Sequence, residues 1–89
     1  MDWPYRRVYY VELKQHHLRP GRVQRPDVPY PYALAIETMR NHAGEDEYVI
    51  VLLDENGAPI THDHPFGLDD AFGDVEYEFD VKRQEWESI

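Results

Sequence analysis

The chain has no cysteine, so disulfides and thiolate-ligated metal sites are excluded. Serine is nearly absent: the only one, Ser88, lies beside the last residue. Thr38 and Thr61 stand outside any nucleophile motif, so nucleophilic catalysis by a thiol or hydroxyl is poorly supported. No glycine-rich phosphate loop is present. The longest strongly apolar run, Tyr48–Leu53, falls far short of the roughly 20 residues of a membrane-spanning helix. The stretch Met1-Asp2-Trp3-Pro4-Tyr5-Arg6-Arg7 lacks the apolar region of a signal peptide. These absences predict a cytoplasmic protein that is not an enzyme and needs no cofactor.

A further absence concerns charge of one sign. Residues 41–81 hold twelve Asp and Glu and not one Lys or Arg. Residues 1–40 hold seven bases (Arg6, Arg7, Lys14, Arg19, Arg22, Arg25, Arg40) against four acids. The net charge of −9 is therefore concentrated in the second half. Such acids either face the basic half across the fold or present a negative surface to a positive partner.

What is present describes a small α+β domain. Eighty-nine residues make one domain, 1–89, with one modest core. A hydrophobic content of 42% is too high for a disordered chain, and seven Tyr, three Phe and two Trp point to an aromatic-rich core. Along Tyr5–Lys14, Tyr9, Val11 and Leu13 alternate with Tyr10, Glu12 and Lys14, the period of a half-buried strand. Trp3-Pro4 is expected at the sheet edge, because proline cannot donate a ladder hydrogen bond. Gln15–Pro31 contains four prolines and three arginines and reads as a long loop. Within it begins Pro29-Tyr30-Pro31-Tyr32, expected to dock its rings on the core as a polyproline segment.

Tyr32–Asn41 has helix-favouring residues, yet Tyr32, Leu34, Ile36 and Thr38 fall on one face at period two, which predicts a strand. A turn at His42–Asp46 would pair it with Glu47–Leu53, whose two apolar faces predict a strand covered on both sides. Asp54-Glu55-Asn56-Gly57 is the clearest turn. It leads into a short return arm, Ala58–Thr61, where Pro59 suits only an edge. Leu68–Asp80 is the helix: Leu68, Ala71, Phe72, Val75 and Phe79 fill an arc about 100° wide. Asp69 and Asp70 suit its first turn, and Lys82 and Arg83 lie where cations favour its end. The fold expected is a three- to four-stranded, mostly antiparallel sheet with one amphipathic helix packed on a face. The helix stripe should meet Val11, Ile36, Ile50 and Leu52.

Three features carry candidate chemistry. His62-Asp63-His64 could place two imidazoles on one side of an extended chain, with His16, His17 or His42 as a third metal ligand. The simpler alternative is a polar loop in which Asp63 or His64 caps the helix. The bases of Lys14–Arg25 could contact phosphates, but the acids of the same small domain would repel a nucleic acid. The third feature is the helix's polar surface. Asp69, Asp70, Asp74, Glu76, Glu78 and Asp80 surround Tyr77 with no base among them. Acids lacking basic partners at i,i+4 repel one another, a cost that solvation, pairing or binding must offset. A docking surface for a basic protein, with Tyr77 as its aromatic anchor, would explain it.

The order of aliphatic strand, Asp-Glu-Asn-Gly turn and helix resembles small bacterial immunity-type proteins. In these, a sheet precedes a helix of the form Leu-acid-acid-Ala … Glu-Phe-small-Val, followed by a Trp. The matching residues are Leu68, Asp69, Asp70, Ala71, Glu78, Phe79, Val81 and Trp86, within roughly the last 40 residues. Asp80 stands where a small residue is usual, and Gly73 interrupts the helix. The resemblance is one of scaffold and carries over no catalytic residues. It implies a cytoplasmic protein that binds and neutralises a toxin. An inhibitor of a nucleic-acid-binding protein would share these features. The alternatives are a metal- or ligand-binding domain at His62 and His64, or a homo-oligomeric structural domain, such as a homodimer, joined through an exposed strand edge or the aromatic loop.

Overall fold

Period-two alternation in the strands decides which side chains meet the helix. A computed structural model describes residues 3–14, 17 and 30–89. Among them, five strands form one antiparallel sheet: β1 (Arg6–Glu12), β2 (Ala33–Arg40), β3 (Asp46–Leu53), β4 (Pro59–Asp63) and β5 (Glu87–Ser88). Their spatial order is β4-β3-β2-β1-β5. The helix α1 (Leu68–Phe79) covers one face, and a 3-10 turn at Arg83–Glu85 leads into β5. The expected α+β architecture is present, with one strand more than expected. β5 has two residues, both exposed and polar, and so leaves no periodic signal. It is placed by the burial of Trp86 and by the Ile89 N–H donating to the Val8 carbonyl at 3.0 Å.

The register puts Tyr9 opposite Ile36, Val11 opposite Leu34, Ile36 opposite Ile50 and Leu34 opposite Leu52. These residues share one core with Phe72, Val75, Phe79, Val81 and Trp86. Each large apolar side chain buried there contributes about 1.5–3 kcal/mol. The alternate residues Ala33, Ala35, Val49, Val51 and Leu53 are buried on the second face, with Tyr5 and Tyr10 against them. That is why β3 reads as apolar throughout. A bulge between Arg7 and Tyr9 resets β1, so that Arg7 opposes Glu37 and Tyr10 opposes Ala35 on the same second face.

Both tight connections rest on glycine in the left-handed region. Gly44 (φ 80) closes the β2–β3 turn and Gly57 (φ 81) the β3–β4 turn, where the Asp54 carboxylate accepts the N–H groups of Asn56 and Ala58. β4 runs on to Asp63, two residues beyond the return arm read from the sequence, and carries Pro59 on the sheet's edge. α1 is capped by the Gly67 backbone with no side-chain bond, so neither Asp63 nor His64 caps it. It ends at Asp80, whose left-handed φ of 60 turns the chain back and whose N–H donates to the Glu76 carbonyl.

Apart from His17, Tyr30 and Pro31, the Gln15–Pro31 loop lies outside the described residues. Tyr30 packs edge-on against Phe79 and donates its hydroxyl to the His17 carbonyl at 2.9 Å. Trp3, expected at the sheet edge, instead packs against the second face and donates its indole N–H to Glu37.

Two substitutions on neighbouring helix positions should act in opposite directions. Phe72→Ala should lose about 3–5 kcal/mol by opening the core. Gly73→Ala should gain about 1 kcal/mol, because Gly73 is exposed and no atom lies within 4 Å of an added Cβ. Urea denaturation of both variants checks this. A destabilised Gly73→Ala would show that the helix is held in another rotation.

Candidate docking surface on the helix

At 100° per residue, burying Leu68, Phe72, Val75 and Phe79 points Tyr77 directly away from the sheet, with Asp70 and Asp74 beside it. Tyr77 is 69% exposed. Asp69 and Glu76 lie on one flank of this ridge and Glu78 on the other. The seven residues read from the sequence as one surface therefore divide into three groups.

The first group is paired from within. The turn at Asp80 and the burial of Val81 bring the following bases back alongside the helix. Lys82 Nζ stands 3.0 Å from Glu76 Oε2 and 3.4 Å from Asp80 Oδ1. Its hydrogen bond to Glu76 is the first cause of an ammonium pKa held above the ordinary lysine value. Arg83 Nη1 stands 3.1 Å from Asp69 Oδ1, and its guanidinium lies 4.5 Å from the centre of the Phe72 ring. Lys82 and Arg83, expected only to favour the helix end, thus select individual acids.

The second group is the ridge itself. Among the described residues, Asp70 and Asp74 have no side-chain hydrogen bond or ion pair. Asp70 and Asp74 are four apart, as are Asp74 and Glu78, so like charges are stacked along the helix. The third is Glu78, which with Asp74 and Tyr77 of the ridge borders a groove of about 330 Å³ between α1 and the β3–β4 end of the sheet. Ile50, Asp63, Asp74, Val75, Tyr77, Glu78 and Phe79 line it. Asp63 and Glu78 also have interactions of their own. Asp63 reaches the groove because the ladder sets it opposite Ile50 on the helix-facing side. The sequence reading missed this role by ending the return arm at Thr61. It also missed Phe66, fully exposed in the β4–α1 connection, which carries no periodic signal.

The histidines divide as well. His62 and His64 are neighbours, with ring centres 5.0 Å apart, and they pack against Trp3 and Tyr5 respectively. His17, a candidate third ligand, is fully buried and has both ring nitrogens engaged. Its Nδ1 accepts the Lys14 N–H at 2.8 Å, which leaves Nε2–H to donate to Glu85 Oε1 at 2.9 Å. The other Glu85 oxygen accepts the Lys82 N–H at 2.7 Å. His17 thus ties the end of β1 to the 3-10 turn. His16 lies outside the described residues. Among those described, no group of three or more His, Asp or Glu is arranged to hold a metal ion. Nearby, Glu37 is 5% exposed and is paired with Arg7 at 3.0 Å, so this buried carboxylate is committed to structure.

The division of the acids has a measurable consequence. Asp74→Asn should raise stability by about 0.2–0.5 kcal/mol, through relief of like-charge repulsion. Asp69→Asn, which breaks an exposed pair with Arg83, should lower it by up to about 1 kcal/mol. The contrast should shrink in molar salt. Chemical denaturation at low and high salt checks both.

A second expectation concerns alkaline pH. Burial first, and then Glu47, raises the Tyr5 phenol; burial first, and then Glu12, raises that of Tyr10. A raised phenol contributes stability that is intact below its ordinary value near 10 and lost as pH rises through the folded value. Phenolate absorbance should show a late component that Tyr5→Phe and Tyr10→Phe each reduce.

Comparisons with protein-family models, with curated proteins and with solved structures gave no match, so the functional reading rests on this chain's own geometry.

Proposed function

We propose that this chain is a non-enzymatic protein-binding domain of the inhibitor or immunity type. It docks a basic protein, either a toxin or a nucleic-acid-binding protein, through the outward ridge of α1. One observation supports the reading above the others. The chain sets Lys82 and Arg83 against Asp69, Glu76 and Asp80, yet among the described residues Asp70 and Asp74 are unpaired, side by side next to an exposed Tyr77. Stacked acids cost helix stability. A partner supplying the missing cations would offset that cost, speed encounter and favour the correct orientation. Tyr77 has the exposure and chemistry of an interface anchor. Nucleic acid is disfavoured as a direct ligand by the same charges.

The test is affinity capture with wild type beside a chain carrying Asp70→Lys, Asp74→Lys and Tyr77→Ala, followed by association kinetics with the captured protein. A basic partner held only by wild type, with an association rate that falls steeply as salt rises, is the expected outcome. Equal capture by both baits would move the interface elsewhere.

A second reading, a metal- or ligand-binding domain, is favoured only by the adjacency of His62 and His64. Saturating zinc or nickel should then raise the melting temperature, since a ligand of the native state must stabilise it.

A further inference from the structure

We propose that the groove beside Tyr77 receives an arginine side chain of the partner, gripped by Asp74 and Tyr77. The inference rests on the docking reading and narrows it from a charged ridge to one pocket and one side chain.

The chain contains a working example of such a site. On one flank of α1, Asp69 and Phe72 hold the chain's own Arg83: Asp69 accepts a hydrogen bond at 3.1 Å, and Phe72 lies under the guanidinium at 4.5 Å. Asp69 and Phe72 are three residues apart, which makes them neighbours on the helix surface. The same spacing recurs five residues later as Asp74-Val75-Glu76-Tyr77. Five residues rotate the motif by about 140°, from the flank occupied by Arg83 to the outward ridge and its groove. There, neither Asp74 nor Tyr77 has a cationic partner among the described residues.

The groove adds what a long side chain requires. Ile50, Val75 and Phe79, all nearly fully buried, supply its apolar lining, beside which methylenes can lie while the charged head reaches the carboxylates. A volume of about 330 Å³ is at the lower limit for ligand pockets, which suits one side chain better than a cofactor. Arginine fits better than lysine. Its guanidinium is planar and weakly hydrated, stacks on an aromatic face and offers several donors to a carboxylate at once. Anionic groups are repelled by Asp74 and its neighbours.

The experiment is an NMR titration of the ¹⁵N-labelled full chain with acetyl-Gly-Arg-Gly-Arg-Gly-amide at low salt. Lysine and citrulline versions of the peptide run beside it. The arginine peptide should give saturable shifts centred on Asp74, Val75, Tyr77 and Glu78. It should bind about threefold or more tightly than the lysine peptide, the margin expected of stacking on an exposed ring. Citrulline should give no binding. Tyr77→Leu should remove the preference for arginine, and Asp74→Asn should weaken both basic peptides. Equal binding of the arginine and lysine peptides, with shifts spread over all the acids, would overturn the pocket. So would shifts centred away from the groove. Arginine-to-lysine replacement across the captured partner separates the two claims. If every such variant binds normally while Asp70→Lys and Asp74→Lys abolish binding, the pocket fails and the docking ridge stands. If the ridge variants bind normally too, both fail.

Discussion

Burial of Phe72, Val75 and Phe79 in one core with Ile36, Ile50 and Leu52 sets the rotation of α1 about its own axis. Everything on the helix's outer surface follows from that rotation. A helix held by a stripe about 100° wide has little freedom to roll, because rolling would expose large side chains worth about 1.5–3 kcal/mol each. With the stripe in place, Tyr77 must face solvent, Asp70 and Asp74 must stand beside it, and Glu78 must lean toward β4. The exposed acidic ridge is a by-product of where the core is.

The same core returns the chain after the helix. Val81 and Trp86 are buried, so the segment between them passes close to the helix's far flank. This brings Lys82 and Arg83 within reach of Glu76, Asp80 and Asp69. Exposed pairs of this kind add little stability. Their larger effect is on the charge pattern: one flank becomes close to neutral and the outward ridge keeps its charge. A surface graded in this way orients a basic partner better than a uniformly acidic one would.

The second face of the sheet follows a different logic. Arg7, Glu37 and Trp3 form a linked set there, and the rings of Trp3, Tyr5, His62 and His64 pack together. Glu37 has its polar needs met by its neighbours, and His17 does the same at the other end of β1. Glu37 and His17, polar side chains that look like chemistry in a list of residues, are here fasteners of a small domain with a modest core.

The strands β1 to β4, the helix and the two glycine turns were legible in the sequence because each is a local pattern: period two, period 3.6, or a residue that tolerates positive φ. The acidic character of the helix surface was legible for the same reason. Four things were not. β5 is too short for any period, and the extension of β4 to Asp63 depends on pairing with Ile50. The fate of His17 depends on Glu85, which is 68 residues away. The division of the acids into paired and unpaired depends on Lys82 and Arg83 folding back. Sequence alone determined which residues are acidic and which face of α1 is apolar, since composition and periodicity are properties of neighbours along the chain. Only the tertiary structure decided which acids are paired with a base and which border a groove. Those outcomes depend on distances between segments, which no local pattern records.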